Sequence, residues 1–471
     1  MTTSTRPLRV AIVGAGPAGI YAADALMKSG ALVSIDLYER MPAPFGLLRY
    51  GVAPDHPRIK AIVSALHKLL DKPQVRLLGN IDVGADITLD ELRSCYDAVV
   101  YATGANADRA LPIPGVDLEG SYGAADFVSW YDGHPDVPRT WPLDAKKVAV
   151  LGVGNVALDV ARILAKTAEE LLPTEIPPNV HAGLSANQAV EVHVFGRRGP
   201  AHARFTPLEL RELDHSPTIE VIVDPADLVY DEAALALRQC SKQVELICST
   251  LEQWAAREPG ERPHRLFLHF CENPVELLGD GEGRVRALRT ERTRPGGAEV
   301  VAAGGDHTDW EVQAVYRAIG YLSEPVPGVP FDECAGVIPN EAGRVLAEPD
   351  SDAPEQRYLP GVYVTGWIKR GPVGLIGHTK GDASETISSL LADVDRLARP
   401  ASPQPEAVIE LLESKGIAFT TWSGWQQLDA YERELGAAEG RERVKVVERD
   451  VMVAVSRSSA AAGDCRASIE P

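Results

Sequence analysis

The chain has 471 residues, enough for two to four domains, and its 45% hydrophobic and 24% charged residues are ordinary for a globular protein. That balance excludes a wholly disordered chain, a collagen-like repeat and a coiled-coil fibre. With 47 Lys and Arg against 67 Asp and Glu the net charge is −20, which disfavours any general nucleic-acid surface and requires an anion site to be local.

In chain order, Met1 to Leu8 is short and polar and has the character of neither a signal nor a transit peptide. An apolar strand over Arg9–Val13 then meets Gly14-x-Gly16-x-x-Gly19 and a helical stretch to Lys28. Gly14 permits the tight turn, Gly16 lets a pyrophosphate approach the backbone, and Gly19 lets helix and strand pack closely. The free N–H groups of the helix start meet the phosphate charge. The next strand, from Val33, ends in Glu39, whose carboxylate can accept from both ribose hydroxyls and would repel a 2′-phosphate. This site suits FAD or NAD rather than NADP. The Pro/Gly cluster Leu111–Gly115 reads as an extended linker.

A second unit follows: strand Lys147–Leu151, then Gly152-x-Gly154-Asn155-Val156-Ala157 and a helical stretch to about Glu170. An insertion over Leu172–Gln188 is expected to loop out before strand Val192–Phe195. That strand ends not in an acid but in Arg197-Arg198, two guanidiniums suited to a 2′-phosphate. One acidic and one basic ribose site together read as FAD plus NADP(H). Past a second Pro/Gly cluster at Glu324–Gly328, Val362–Trp367 looks like a strand end returning to the first unit, so the first domain is expected to be discontinuous. The expected fold class is α/β, with two doubly wound Rossmann-like dinucleotide-binding domains and the NADP domain inserted into a discontinuous FAD domain. The divisions are 1–108 and 325–455 for the FAD domain with its C-terminal extension, 109–324 for the NADP domain, and 456–471 for a disordered tail. No stretch of about 20 apolar residues marks a membrane span. The six cysteines lack any Cys-x-x-Cys or metal-ligand spacing, so no metal, protein-bound cluster or active-site disulfide is expected, and a reducing cytoplasmic setting is.

Longer motifs carry a resemblance. Phe45 to Pro57 (FGLLRYGVAPDHP), Gly154–Asp159, Phe195–Pro200, Thr206–Leu213 and Gly366–Pro372 resemble the adrenodoxin reductase-type ferredoxin–NADP(+) reductases from about Arg9 to Val455, with the bacterial-type members the closer match because no targeting peptide is evident. The resemblance implies FAD, NADP(H), and electron transfer with a ferredoxin-type iron–sulfur protein, while the acidic balance and the lack of a long apolar stretch lead us to expect no nucleic acid and no membrane. It implies that FAD contacts Ala18, Glu39, Leu47, Val83, Trp367 and the turn Gly374-Leu375-Ile376, where Leu375 stands in place of the family's usual Val. NADPH would meet Val153, Gly154, Asn155, Val156, Arg197, Arg198, Glu209 and Gly374, while His56 and Glu212 would handle protons and Asp159 would cap a helix or hydrogen-bond. Arg204, Arg211, Arg238 and Lys242 are candidates for a basic docking face. A disulfide reductase needs a redox Cys pair, a glutamate synthase small chain needs a cysteine-rich domain, and a flavin monooxygenase needs Phe-x-Gly-x-x-x-His; none is visible in the sequence.

Overall fold

The computed structural model describes residues 6–56, 62–258, 260–296, 299–347, 357–373 and 376–458. Its strands in chain order begin with β1 (Leu8–Val13), β2 (Val33–Glu39), β3 (Val75–Gly79), β4 (Ala98–Tyr101), β5 (Ala107–Asp108) and β6 (Ser121–Gly123). They continue with β7 (Lys147–Leu151), β8 (Glu191–Gly196), β9 (Ile219–Val223), β10 (His264–Phe270), β11 (Glu272–Gly279) and β12 (Val285–Gly296). The last are β13 (Glu299–Glu311), β14 (Ala314–Arg317), β15 (Tyr321–Leu322), β16 (Asn340–Glu341), β17 (Arg344–Leu346) and β18 (Tyr358–Val364).

These strands build two doubly wound sheets. The first has the order β16-β17-β18-β4-β1-β2-β3, and the second β6-β14-β7-β8-β10-β9. In the first, β18 lies parallel to β4 with Val362 opposite Val99, so a strand from late in the chain completes a sheet begun at residue 8. The second sheet is parallel throughout and lies between those two halves of the first. A short antiparallel ribbon, β5 with β15, marks where the chain leaves and returns. Strands buried on both faces explain the continuous apolar runs. Val10 and Ile12 enter one core cluster while Ala11 and Val13 enter another, and Val148 and Val150 likewise alternate with Ala149 and Leu151. Strands β11, β12 and β13 form a separate antiparallel sheet.

Six helices matter for the site: α1 (Pro17–Lys28), α2 (Leu47–Tyr50), α3 (Ala124–Tyr131), α4 (Asn155–Ala165), α5 (Pro207–Glu212) and α6 (Trp422–Ala438). Helix α1 follows the first glycine turn and buries Ile20, Ala23 and Leu26, spaced by three, against the first sheet.

The structure corrects four sequence expectations. Helix α4 ends at Ala165, because Thr167 starts a new turn, Ala168–Leu171, through a capping box with Glu170. The insertion before β8 does not loop out: helix Pro178–Ser185 buries Val180 and Leu184 on one face. The cluster 111–115 is a turn rather than an extended linker, since Leu111 and Ile113 pack on the core beneath β11 and β12. Ser456 and Arg457 belong to the terminal helix Arg449–Arg457 rather than to a tail, Ser456 being buried and Met452 fully enclosed; residues 459–471 lie outside the described residues.

Candidate functional site

A cleft of about 830 Å³ runs between the two sheets. Gly14, Gly16, Ala18, Glu39, Leu47, Val83 and Trp367 line it, together with Val156 from the second unit. Gly14 is held at φ +110°, where a Cβ would lie 2.4 Å from the carbonyl oxygen of Ala102; only glycine makes this turn without displacing backbone. Gly16 and Gly46 face each other across the floor, and a Cβ on Gly46 would lie 3.2 Å from the Gly16 Cα. Gly19 has no room either, its Cβ position being 1.9 Å from the Gly14 carbonyl oxygen. The result is a groove walled by bare backbone, the form a pyrophosphate needs.

Glu39 stands at the end of β2 and accepts N–H bonds from Ala15 and from Met41, each at 3.0 Å. Burial pushes its carboxyl upward, and these bonds pull against that rise. The same group therefore shapes the glycine turn and offers its remaining lone pairs to the cleft. Trp367 follows β18 and is half-buried, and Gly366 before it packs directly on Ala18. Gly374 and Leu375 lie outside the described residues, and Ile376 opens helix Ile376–Ala392. A glycine groove, an acid at the ribose position and an indole along one cleft fit an adenine dinucleotide flavin.

Behind the cleft, the two sheets meet at His56. Asp159 Oδ1 accepts from His56 Nε2 and from Arg162 Nη2, at 2.8 Å each. Glu209 Oε2 lies 2.9 Å from the same ring nitrogen, and His56 Nδ1 donates to Glu212 Oε2 at 2.9 Å. Arg162 also grips Asp55 through Nε and Nη2, both at 2.8 Å, and Lys166 adds a third bond to Asp55 at 2.9 Å. Burial disfavours a charged imidazole, but its hydrogen bonds to Asp159, Glu209 and Glu212 outweigh that and raise the ring to about 11. His56 is thus an imidazolium at neutral pH. Asp55 is pushed well below the carboxylate range because Arg162 and Lys166 overcome its burial. Asp159 sits in the second turn of α4, so it bonds and does not cap.

Glu209 and Glu212 face opposite ring nitrogens of His56, at 2.9 Å each, so both carboxylates are engaged by the imidazole. Glu212 is the carboxylate of this group with a route to solvent, its side chain being 26% exposed.

The arginine pair lies on the far side of the second glycine turn. Gly196 abuts Val153, the Arg204 N–H bonds the Val153 carbonyl at 2.8 Å, and the Thr206 N–H bonds Asn155 Oδ1 at 2.8 Å. These bonds fasten the loop over Gly154 to the segment carrying Arg197, Arg198 and Arg204. Among the described residues no carboxylate pairs with any of the three guanidiniums. Burial, Arg204 and Arg197 together push Arg198 down, the mark of cations gathered without a counter-ion. The Arg197 carbonyl accepts from Thr293 Oγ1 and the Arg198 carbonyl from the Cys271 N–H, so the backbone there is independently held. Glu209 does not join this pair: helix α5, capped by Thr206, turns it towards His56.

Of the docking candidates, Arg238 is consumed by ion pairs to Glu245 at 2.8 Å and Glu252 at 2.5 Å, while Arg204, Arg211 and Lys242 are exposed. The sequence reading missed Asp55, Arg162 and Lys166. Their signal was present in part, because Asp159 and Arg162 are three residues apart on α4 and share a face, with Lys166 directly after its end. Five cysteines are free thiols and form no disulfide among the described residues.

A family model described as pyridine nucleotide-disulphide oxidoreductase matches residues 8–199. Over 457 residues the chain is 39% identical to the NADPH-ferredoxin reductase FprA of Mycobacterium tuberculosis, covering 94% of this chain and 97% of that one. It is 36% identical over 470 residues to the mitochondrial NADPH:adrenodoxin oxidoreductase of Arabidopsis thaliana, covering 97% and 96%. The solved structure of the mycobacterial FprA in complex with NADPH matches with a TM-score of 0.86 at 37% identity, over 96% of this chain and 100% of that one.

Proposed function

The chain belongs to the family of NADPH-ferredoxin and NADPH:adrenodoxin reductases, and from that membership we propose that it is an FAD-dependent ferredoxin–NADP(+) reductase passing electrons between NADPH and a ferredoxin-type iron–sulfur protein. The observation that carries this reading is the contrast between the two nucleotide units: Glu39 at one ribose position and an acid-free arginine pair at the other. Bound FAD would supply the redox chemistry, accepting a hydride from NADPH and releasing the electrons singly.

The chain's own residues bind, orient and handle protons. Gly14, Gly16 and Gly19 admit the flavin pyrophosphate, Glu39 takes the ribose, and Ala18, Leu47, Val83 and Trp367 border the rest. Val153, Gly154, Asn155 and Val156 form the turn for NADPH, with Arg197 and Arg198 on its 2′-phosphate. His56 holds its proton at neutral pH and acts as a donor that fixes Asp159, Glu209 and Glu212. Exchange with solvent runs through Glu212, the partly exposed member. Residues 1–108 and 325–455 form the FAD domain and 109–324 the NADP domain. Arg204, Arg211 and Lys242 remain the basic groups for an acidic partner, without Arg238. The net charge argues against nucleic acid, the free thiols suit a cytoplasmic setting, and no helix among the described residues is long and apolar enough to cross a membrane.

Anaerobic mixing of the yellow protein with NADPH should bleach the flavin absorbance, and adding an oxidised ferredoxin should restore it. A flavin that NADPH leaves oxidised would sink the reading, and so would a reduced flavin that no ferredoxin reoxidises.

A further inference from the structure

The segment 440–448, between α6 and the terminal helix, runs as a strap that bonds to both units. It folds back tightly on α6, for a Cβ on Gly436 of that helix would meet the Arg443 Cα at 2.4 Å. Alternate residues of the strap reach into the second unit. Arg441 donates to the carbonyls of Thr174, at 2.9 Å, and of Ile176. Lys445 Nζ, with its side chain 1% exposed, donates to the Asp132 carbonyl at 3.0 Å and pairs with Glu175 at 2.8 Å. It also donates to the Arg49 carbonyl at 2.7 Å. An ammonium has three N–H donors, and here all three find acceptors.

The place of those acceptors gives the lysine its role. Arg49 lies in α2, which brings Leu47, Leu48 and Tyr50 to one wall of the cleft. Asp132 caps the C-terminus of α3, which brings Ala125, Asp126, Val128 and Ser129 to the same cleft from the second unit. The carbonyl end of a helix carries partial negative charge, so a cation is favoured at the end of each. The Arg49 side chain is held by Glu432 of α6, at 2.5 and 3.0 Å, and Glu432 in turn accepts from the Val446 N–H of the strap at 2.9 Å, so α2 has a second tie to the same segment. One buried ammonium therefore ties two facing walls that belong to different sheets.

We propose that Lys445 is a positioning residue that sets the separation of the cleft walls and thereby the approach of the nicotinamide to the flavin; this rests on reading the cleft as the flavin site. Lys445 touches neither cofactor in this scheme and acts through α2 and α3.

The test uses the full-length holoprotein with Lys445→Ala, Lys445→Arg and Glu175→Gln. Two quantities are read: FAD release on dilution, followed by flavin fluorescence, and flavin reduction by saturating NADPH in stopped flow. Lys445→Ala should release FAD about fivefold faster, since loosened contacts appear mainly in off-rates. It should be reduced about tenfold more slowly, because small misplacements cost large factors in transfer rates. NADPH affinity should change by less than about threefold, as the arginine pair stands apart from the strap. Lys445→Arg should recover part of both losses, which a merely disordered cleft would not do. Parent-like release and reduction in Lys445→Ala would overturn the proposal, as would an equal loss of NADPH affinity and reduction rate with no recovery in Lys445→Arg. Should Lys445→Ala not fold, Glu175→Gln decides: faster release with slower reduction supports the proposal, and parent-like behaviour overturns it. If NADPH fails to reduce the parent itself, the functional reading falls instead, and FAD release still reports on the strap.

Discussion

Replacing Arg197 and Arg198 together by alanine tests the second nucleotide site most directly, because it removes one pair of charges from one phosphate. The hydrogen bonds their carbonyls accept come from Thr293 and Cys271 and survive the change, so the loop keeps its path. Each guanidinium is worth about 1.5–3 kcal/mol as a charge-assisted donor. Arg197 is exposed and Arg198 half-buried, so the lower figure applies to both and the loss is about 3 kcal/mol. That corresponds to a rise in the NADPH KM on the order of 100-fold. The phosphate lies far from the transferred hydride, so kcat should stay nearly constant. Steady-state rates with ferricyanide as acceptor, measured over NADPH and NADH concentration, give both constants. The NADH KM should barely move. The structure adds a stability criterion: Arg198 sits among like charges, so the double variant should melt no lower than the parent. A proportionate loss with both coenzymes, or a fall of several degrees in Tm, would mean that these arginines support the fold and do not read the phosphate.

His56 predicts a pH signature. Its ring is raised from the ordinary 6.5 to about 11 in the folded protein, so its contribution to stability is fully present below 6.5 and is lost as pH rises through about 11. The Tm gap between the parent and His56→Gln should therefore narrow steadily as the solution is made alkaline, and a gap independent of pH would remove the imidazolium from the account. Glu39→Ala strips the acceptor from the Ala15 and Met41 N–H groups as well as from the ribose. At about 1–3 kcal/mol for the ribose hydroxyl left without its acceptor, FAD affinity by equilibrium fluorescence should fall about fivefold to 150-fold; unchanged affinity would take Glu39 out of the site.

Much of the fold and half of the site were legible from residue order because they rest on local backbone demands. Gly14 must occupy a conformation that other residues resist, Gly19 must let helix meet strand, and an acid or an arginine pair must end the following strand; each is a residue type at a fixed spacing. The return of Val362–Val364 to the first sheet was legible for the same reason, as an apolar strand ending in Thr365-Gly366. The remainder depended on which distant surfaces came together. Arg49 and Glu432 are 383 residues apart, and no spacing rule announces their pairing. Arg238 reads as a free cation until the packing of its helix against the next places Glu245 and Glu252 beside it. His56 was legible as a proton-handling candidate, but its charge was not, because that depends on the three carboxylates that α4 and α5 bring to its ring. Charge state and ion-pair partners follow from burial and proximity, which only the assembled chain defines, whereas a turn's dihedral angles are fixed by the residues within it.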